Sequence, residues 1–255
     1  MAKLDFLFCA VVWEATASVG IMHELADQAE QSISRAVSQS LEPGAVKISE
    51  YDDVITDENG RDYFITRDCY VYGPCADLYE EDVLQEYNYL ISQLTRRSAF
   101  LTIFGLFEYH MKQCLELMVS LTNYSGKLNN GVIENTHTVL KKGIAGKGVQ
   151  DVNHLIKLRN ILAHENGAAV DYHLIKNKTC KKTGPENKLI NAITRLAREN
   201  SGVSVNDFNG VLMDDTFLTY AVNDINRYVK EMEQAIQAYW KIKTETQPTT
   251  VWTQT

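Results

Sequence analysis

From Leu4 to about Ser40 apolar residues recur at three- and four-residue spacing, as at Val19, Met22, Leu25, Ala29, Ile33 and Val37, with polar residues between them. That period predicts helix, as one long rod or two shorter ones. Glu42-Pro43-Gly44 stops it. Residues 45–76 hold short β-branched and aromatic runs (Val46-Lys47-Ile48, Tyr63-Phe64-Ile65-Thr66, Tyr70-Val71-Tyr72) broken by Glu58-Asn59-Gly60 and Gly73-Pro74, which predicts an irregular region with one small hairpin. From Asp77 to Leu121 no Pro occurs and helical spacing resumes, with Gly105 as a weak point. A helix of that length would reach ~65 Å, too long for a compact domain unless it bends or serves two packing layers. Its part from Phe100 to Met118 is apolar nearly all round, the mark of a central core helix.

Further on, the pattern predicts a helix over 132–142, a glycine-rich loop at Gly143–Gly148, and a helix from about Val149 to His164 closed by Asn166-Gly167. An irregular stretch (168–185) leads to an amphipathic helix over Glu186–Asn200. A small hairpin follows around Asn206-Asp207-Phe208-Asn209-Gly210, and then a last helix from about Asp214 to Ile242. The expected architecture is mainly α: an N-terminal helix and irregular region (1–77), a helical bundle with a minor β-hairpin (78–242) and a flexible tail (243–255).

Composition narrows the class. With 255 residues, 45% hydrophobic and 23% charged, 4 Pro and 14 Gly, the chain can bury a sizeable core and is neither collagenous nor low-complexity. Five cysteines (Cys9, Cys69, Cys75, Cys114, Cys180) form no C-x-x-C pair, which argues against a disulfide framework and points to a reducing cytoplasm. No apolar run approaches the ~20 residues of a membrane span. The N-terminal apolar stretch has only the eight residues between Asp5 and Glu14, and the pattern continues past them as an amphipathic helix, so the mature chain is expected to start where the sequence does.

The formal net charge of -8 disguises an uneven distribution. Residues 139–198 carry 12 Lys+Arg against 4 Asp+Glu, a local +8, whereas residues 1–138 carry 9 against 21 and residues 199–255 carry 4 against 8. Such a segment can meet phosphates even in an acidic protein, or it can be a solvated face balancing acidic neighbours.

Within it lies Leu155-Ile156-Lys157-Leu158-Arg159-Asn160-Ile161-Leu162-Ala163-His164-Glu165-Asn166-Gly167. At ~100° per residue Leu155, Leu158 and Leu162 share a stripe, Arg159 borders it, and Asn160 and His164 stack on another face. Arginine supplies a permanent planar cation for phosphate, and histidine exchanges protons near neutral pH. Those are the requirements for cleaving RNA without metal: the 2′-OH must lose a proton, the 5′-oxygen must gain one, and the phosphorane must be stabilised. One histidine cannot be base and acid in the same step, so substrate distortion or a second copy of the motif has to help. The competing reading is structural, because Arg and His in a last helical turn also favour the macrodipole and bond its final carbonyls.

The string Leu158-Arg159-Asn160-Ile161-Leu162-Ala163-His164-Glu165-Asn166-Gly167 resembles the R-N-x-x-x-H signature of the HEPN superfamily. The apolar helix Arg97–Leu121 containing Glu108, and the late Asn-Gly hairpin before a last amphipathic helix, resemble the same all-α module over roughly 78–242. The resemblance implies a metal-independent endoribonuclease working as a homodimer with a composite site, of the kind that serves as a toxin or abortive-infection effector against phage, with an antitoxin or regulatory partner. It would make Arg159 and His164 catalytic, with Asn160 the polar residue beside the arginine, and Glu108 a partner for Arg159. Inactive members of the superfamily leave a second expectation, a non-catalytic module that binds RNA or a protein.

Lys141, Lys142, Lys147 and Lys157 are candidate contacts to the RNA backbone. Gly143-Ile144-Ala145-Gly146-Lys147-Gly148 lacks the spacing and the Ser/Thr of a phosphate-binding loop. His110, His137, His154 and His173 have no metal-like spacing, with His154 and His173 expected in solvent, so neither metal nor cofactor is expected.

Overall fold

The computed structural model describes the backbone of residues 2–246 and the side chains of residues 10–244. Within that range the protein is mainly helical, with seven helices and two small antiparallel sheets. In chain order these are α1 (Ala2–Ser40), β1 (Lys47–Thr56), β2 (Asp62–Tyr72), β3 (Cys75–Asp77), α2 (Glu80–Thr122), α3 (Val132–Lys142), α4 (Asn153–His164), α5 (Tyr172–Lys176), α6 (Gly184–Arg198), β4 (Val203–Val205), β5 (Val211–Met213) and α7 (Phe217–Thr246). No helix among the described residues is long and apolar enough to cross a membrane. The tail expected at 243–255 lies, past Thr246, outside the described residues.

The chain forms two compact units, one made of residues up to Ala26 and from Ala99 onward, the other of Asp27–Ser98. Helix α1 is thus shared between the units: its part up to Ala26 belongs with the residues from Ala99 onward, and Val12, Ala15, Val19, Met22 and Ala26 in it are buried at helical spacing. The length of α2 has the same explanation. Its 43 residues run unbroken and supply one half to each unit.

In the larger unit, Phe100, Ile103, Phe104, Phe107, Met111, Cys114 and Met118 bury one face of α2 completely. Phe100 and Phe107 meet Phe217 and Tyr228 of α7 edge to face, at centroid distances of 5.0 and 5.9 Å. Each such side chain stabilises by about 1.5–3 kcal/mol on burial, before the entropy of ordering is subtracted. The opposite face of α2 is not buried, contrary to its all-round apolar sequence: Tyr109 and Gly105 are exposed. Nothing lies within 4 Å of a Cβ built on Gly105. Gly105→Ala is therefore expected to stabilise the protein by about 1 kcal/mol, read as a raised urea midpoint with unchanged slope.

The smaller unit corrects the expectation of an irregular region with a small hairpin. β1 and β2 pair over ten residues each, from Lys47↔Val71 to Thr56↔Asp62, and β3 adds to the far end of β2. Both faces of this hairpin are largely exposed, so it lacks the alternation that betrays a half-buried strand. Local chemistry sets its register instead. Asp57 Oδ1 accepts from the backbone N–H groups of Asn59 and Arg61 in the turn, which holds the Asp57 carboxyl below its usual range, and Arg67 pairs with Asp53 across the strands at 3.0 Å. Arg96 clasps Glu30 through two bonds of 2.8 and 2.7 Å within the same unit.

Candidate functional site

The motif helix α4 is anchored by Leu155, Leu158, Ile161 and Leu162, all buried. Its end is set by two consecutive left-handed residues, Asn166 (φ 50°) and Gly167 (φ 77°), with Gly167 N–H bonded to Ile161 O at 3.0 Å. The β4–β5 hairpin then ties that turn down, because Val211 N–H donates to Gly167 O and Ala169 N–H to Asn209 O. The last turn of α4, which carries His164, is thus held by two elements.

Arg159 and Asn160 are half-buried and His164 is exposed. Arg159 Nη2 donates to Glu108 Oε2 of α2 at 3.1 Å, and Nη1 donates to Asn160 Oδ1 at 3.1 Å. The same Nη1 lies 3.5 Å from His164 Nε2. As a guanidinium has no acceptor, that contact is a hydrogen bond only when Nε2 carries a lone pair and the ring proton sits on Nδ1. One guanidinium therefore touches all three other residues singled out from the motif and its surroundings. The Arg159 and Glu108 side chains are 31% and 30% exposed, so the pair adds little stability. Its effect is to fix the plane of the guanidinium.

The lysines are not gathered in the same way. Lys157 reaches Glu165 at 3.3 Å, along the flank of α4. Lys141 and Lys142 end α3 and Lys147 follows in the loop, all three exposed and without an ion pair among the described residues. Cys69, Cys75, Cys114 and Cys180 are free, and burial pushes the Cys114 thiol up to about 12, which removes it as a nucleophile. Among the described residues no three His, Cys, Asp or Glu side chains converge on a common point where a metal could sit.

The expectation that His154 is solvated is overturned, and the same expectation for His173, which is half-buried, holds only in part. His173 Nε2 lies 2.8 Å from Asn206 O. His154 is 2% exposed and enters a buried polar network that the sequence reading missed. Tyr220 OH donates to Glu199 Oε2 at 2.6 Å, so its oxygen accepts from His154 Nε2–H at 2.9 Å, and the same nitrogen lies 3.3 Å from Asp224 Oδ2. Arg195 joins Asp151 and Glu199, and Arg227 joins Asp224 and Glu231. Burial alone would raise the carboxyls of Glu199 and Asp224. Hydrogen bonds from Tyr220 and Arg195 to the first, and the close approach of His154 with hydrogen bonds from Arg227 to the second, outweigh it and hold both below their usual range. The signal was in the spacing: His154, Leu158, Ile161 and Leu162 share the buried helical period.

A cavity of about 430 Å³ opens beside this network, between α4, α6 and the loop before α4, and Asn160 lines it. No protein-family model, curated protein or solved structure matches the chain.

Proposed function

We propose that the protein is a metal-independent endoribonuclease of HEPN type, a cytoplasmic toxin or anti-phage effector that acts as a homodimer. The observation that carries this reading is the arrangement on the last turns of α4, where a guanidinium oriented by Glu108 and Asn160 lies 3.5 Å from an exposed imidazole. An oriented cation beside a proton-exchanging ring is what an in-line attack of a ribose 2′-OH requires. His164 of one protomer takes the 2′-OH proton, the 2′-oxygen attacks the phosphorus, and Arg159 balances the charge of the phosphorane. His164 of a second protomer gives a proton to the leaving 5′-oxygen. The products are a 2′,3′-cyclic phosphate and a 5′-hydroxyl. The basic segment 139–198, with Lys141, Lys142 and Lys147 exposed on it, supplies the electrostatic attraction for the strand.

The test is incubation of the purified protein with total RNA and with tRNA in EDTA, with the fragment ends mapped. Cleavage leaving cyclic-phosphate ends is expected, and cleavage that EDTA abolishes would contradict the reading. Glu108 acts here as a positioning residue. Glu108→Gln is expected to lower kcat about ten- to a hundredfold through misplacement of the guanidinium, while stability changes by no more than about 1 kcal/mol.

A second reading rests on the same ion pair. Because Arg159 is already engaged by Glu108 and Asn160, the motif can serve as a brace at the end of α4 in a non-catalytic module that binds RNA or a partner protein. In that case no RNA is cut, and Arg159→Ala alters binding instead of turnover.

A further inference from the structure

The face of α4 that carries the motif does not end at the motif. Asn153, Lys157, Asn160 and His164 succeed one another at three- and four-residue spacing, and the first three line the 430 Å³ cavity. That volume falls in the range of small-ligand sites and is too narrow for a folded peptide. Its lining is mixed, with Ile156 and Ala192 beside several polar side chains, which suits a flat ring with a polar edge. Asn153 and Asn191 are exposed side chains with no hydrogen bond of their own among the described residues, and Asn160 has its Oδ1 held by Arg159 while its NH₂ has no partner there. Each free carboxamide offers a donor and an acceptor side by side, the geometry that reads the edge of a nucleobase. Lys188, exposed and without an ion pair among the described residues, and Lys157, which pairs with Glu165, bring positive charge to a cavity that Glu134 and Asp151 also line.

His154 is among the residues that line the cavity; its Nε2–H is taken by Tyr220, and its Nδ1 is buried without a partner.

We infer that this cavity is a specificity pocket for one nucleotide of an RNA strand. Its base lies against Asn153, Asn191 and His154, and its phosphate faces Lys157 and Lys188. Asn160 belongs both to the pocket and to the cluster around Arg159, and His164 follows one turn later, about 6 Å along the helix axis. The nucleotide in the pocket is accordingly the neighbour of the phosphate to be cleaved. This assignment rests on the ribonuclease reading for its purpose, but not for its binding.

The test uses fluorescein-labelled 2′-O-methyl trinucleotides of each of the four bases, which cannot be cut by 2′-oxygen attack, and full-length wild-type, His164→Ala, Lys188→Ala and Asn153→Ala/Asn191→Ala proteins. Wild type and His164→Ala are expected to prefer one base by about tenfold or more, the discrimination of one good pair of base contacts. The double asparagine variant should lose that preference, and Lys188→Ala should weaken all four trinucleotides alike. Both asparagines and Lys188 are exposed and make no side-chain bond among the described residues, so these variants keep the fold. Equal binding of all bases by wild type, or an unchanged preference in the double variant, overturns the pocket. Competition by the matching nucleoside 5′-monophosphate at the affinity of the trinucleotide overturns the strand assignment in favour of a free nucleotide. Failure of the two readings separates cleanly. Asparagine-dependent base preference without any RNA cleavage removes the catalysis and leaves the pocket, whereas cleavage with a base preference indifferent to the asparagines does the reverse.

Discussion

His164→Ala is expected to lower RNA cleavage by about 10²- to 10⁴-fold, the usual worth of a general acid–base group, while leaving stability within about 0.5 kcal/mol of wild type. The two halves of that expectation have one structural source. His164 is exposed on the final turn of α4, and that turn is closed by the Gly167–Ile161 and Val211–Gly167 bonds without any help from the imidazole. Arg159→Ala should cost a comparable factor by removing the cation that meets the phosphorane. Arg159→Lys serves as the informative control. It keeps the charge but not the planar fork that bonds Glu108 through one nitrogen and Asn160 through the other, so a pure charge effect would be rescued and an orientation effect would not. The measurement is initial cleavage rate in EDTA beside urea unfolding of the same preparations. If wild type cleaves and both alanine variants cleave at the same rate, the motif is a helix end and the catalytic assignment falls.

Asp224→Ala is expected to destabilise the protein by about 3–5 kcal/mol, the loss that follows when one partner of a buried charge pair is removed. Asp224 is 9% exposed and receives Arg227 Nε at 2.7 Å, with His154 Nε2 at 3.3 Å, so the truncation leaves the buried imidazole facing an empty space and the guanidinium held by Glu231. The same network predicts the pH response. Glu199 and Asp224 have folded-state values below their ordinary ones of 4.5 and 3.8. Their contribution is therefore fully present above those ordinary values and is lost as pH falls through the folded ones. Wild-type stability should decline from about pH 5 downward, and Asp224→Ala, lacking one of the two groups, should start lower at neutral pH and decline less. Urea unfolding at pH 7, 5 and 3 checks both statements. An unchanged midpoint at pH 7, or an equal acid slope in the two proteins, would contradict them.

What the sequence by itself determined is the local part of this protein. The helix that ends at His164 was legible because its causes are near in the chain: Leu155, Leu158 and Leu162 share a stripe, and Asn166-Gly167 supplies the left-handed turn that ends it. The β4–β5 hairpin around Asn206–Gly210 was legible for the same reason, since Asn206 Oδ1 bonds the backbone of Phe208 and Gly210 directly. The tertiary structure decided what depends on distant residues. It placed Glu108 against Arg159 across 51 positions, a partnership that the sequence reading took only from family layout. It buried His154 beneath Tyr220, 66 positions away, where its residue type alone had suggested solvent. It gave residues 45–76 a ladder of exposed strands, invisible to a period search because neither face packs on a core. It also set Asn191 of α6 beside Asn153 and Asn160 of α4 around one cavity. Periodicity and turn chemistry record what a residue does to its neighbours in the chain. A pocket is made by the packing of helices whose separation in sequence carries no such record.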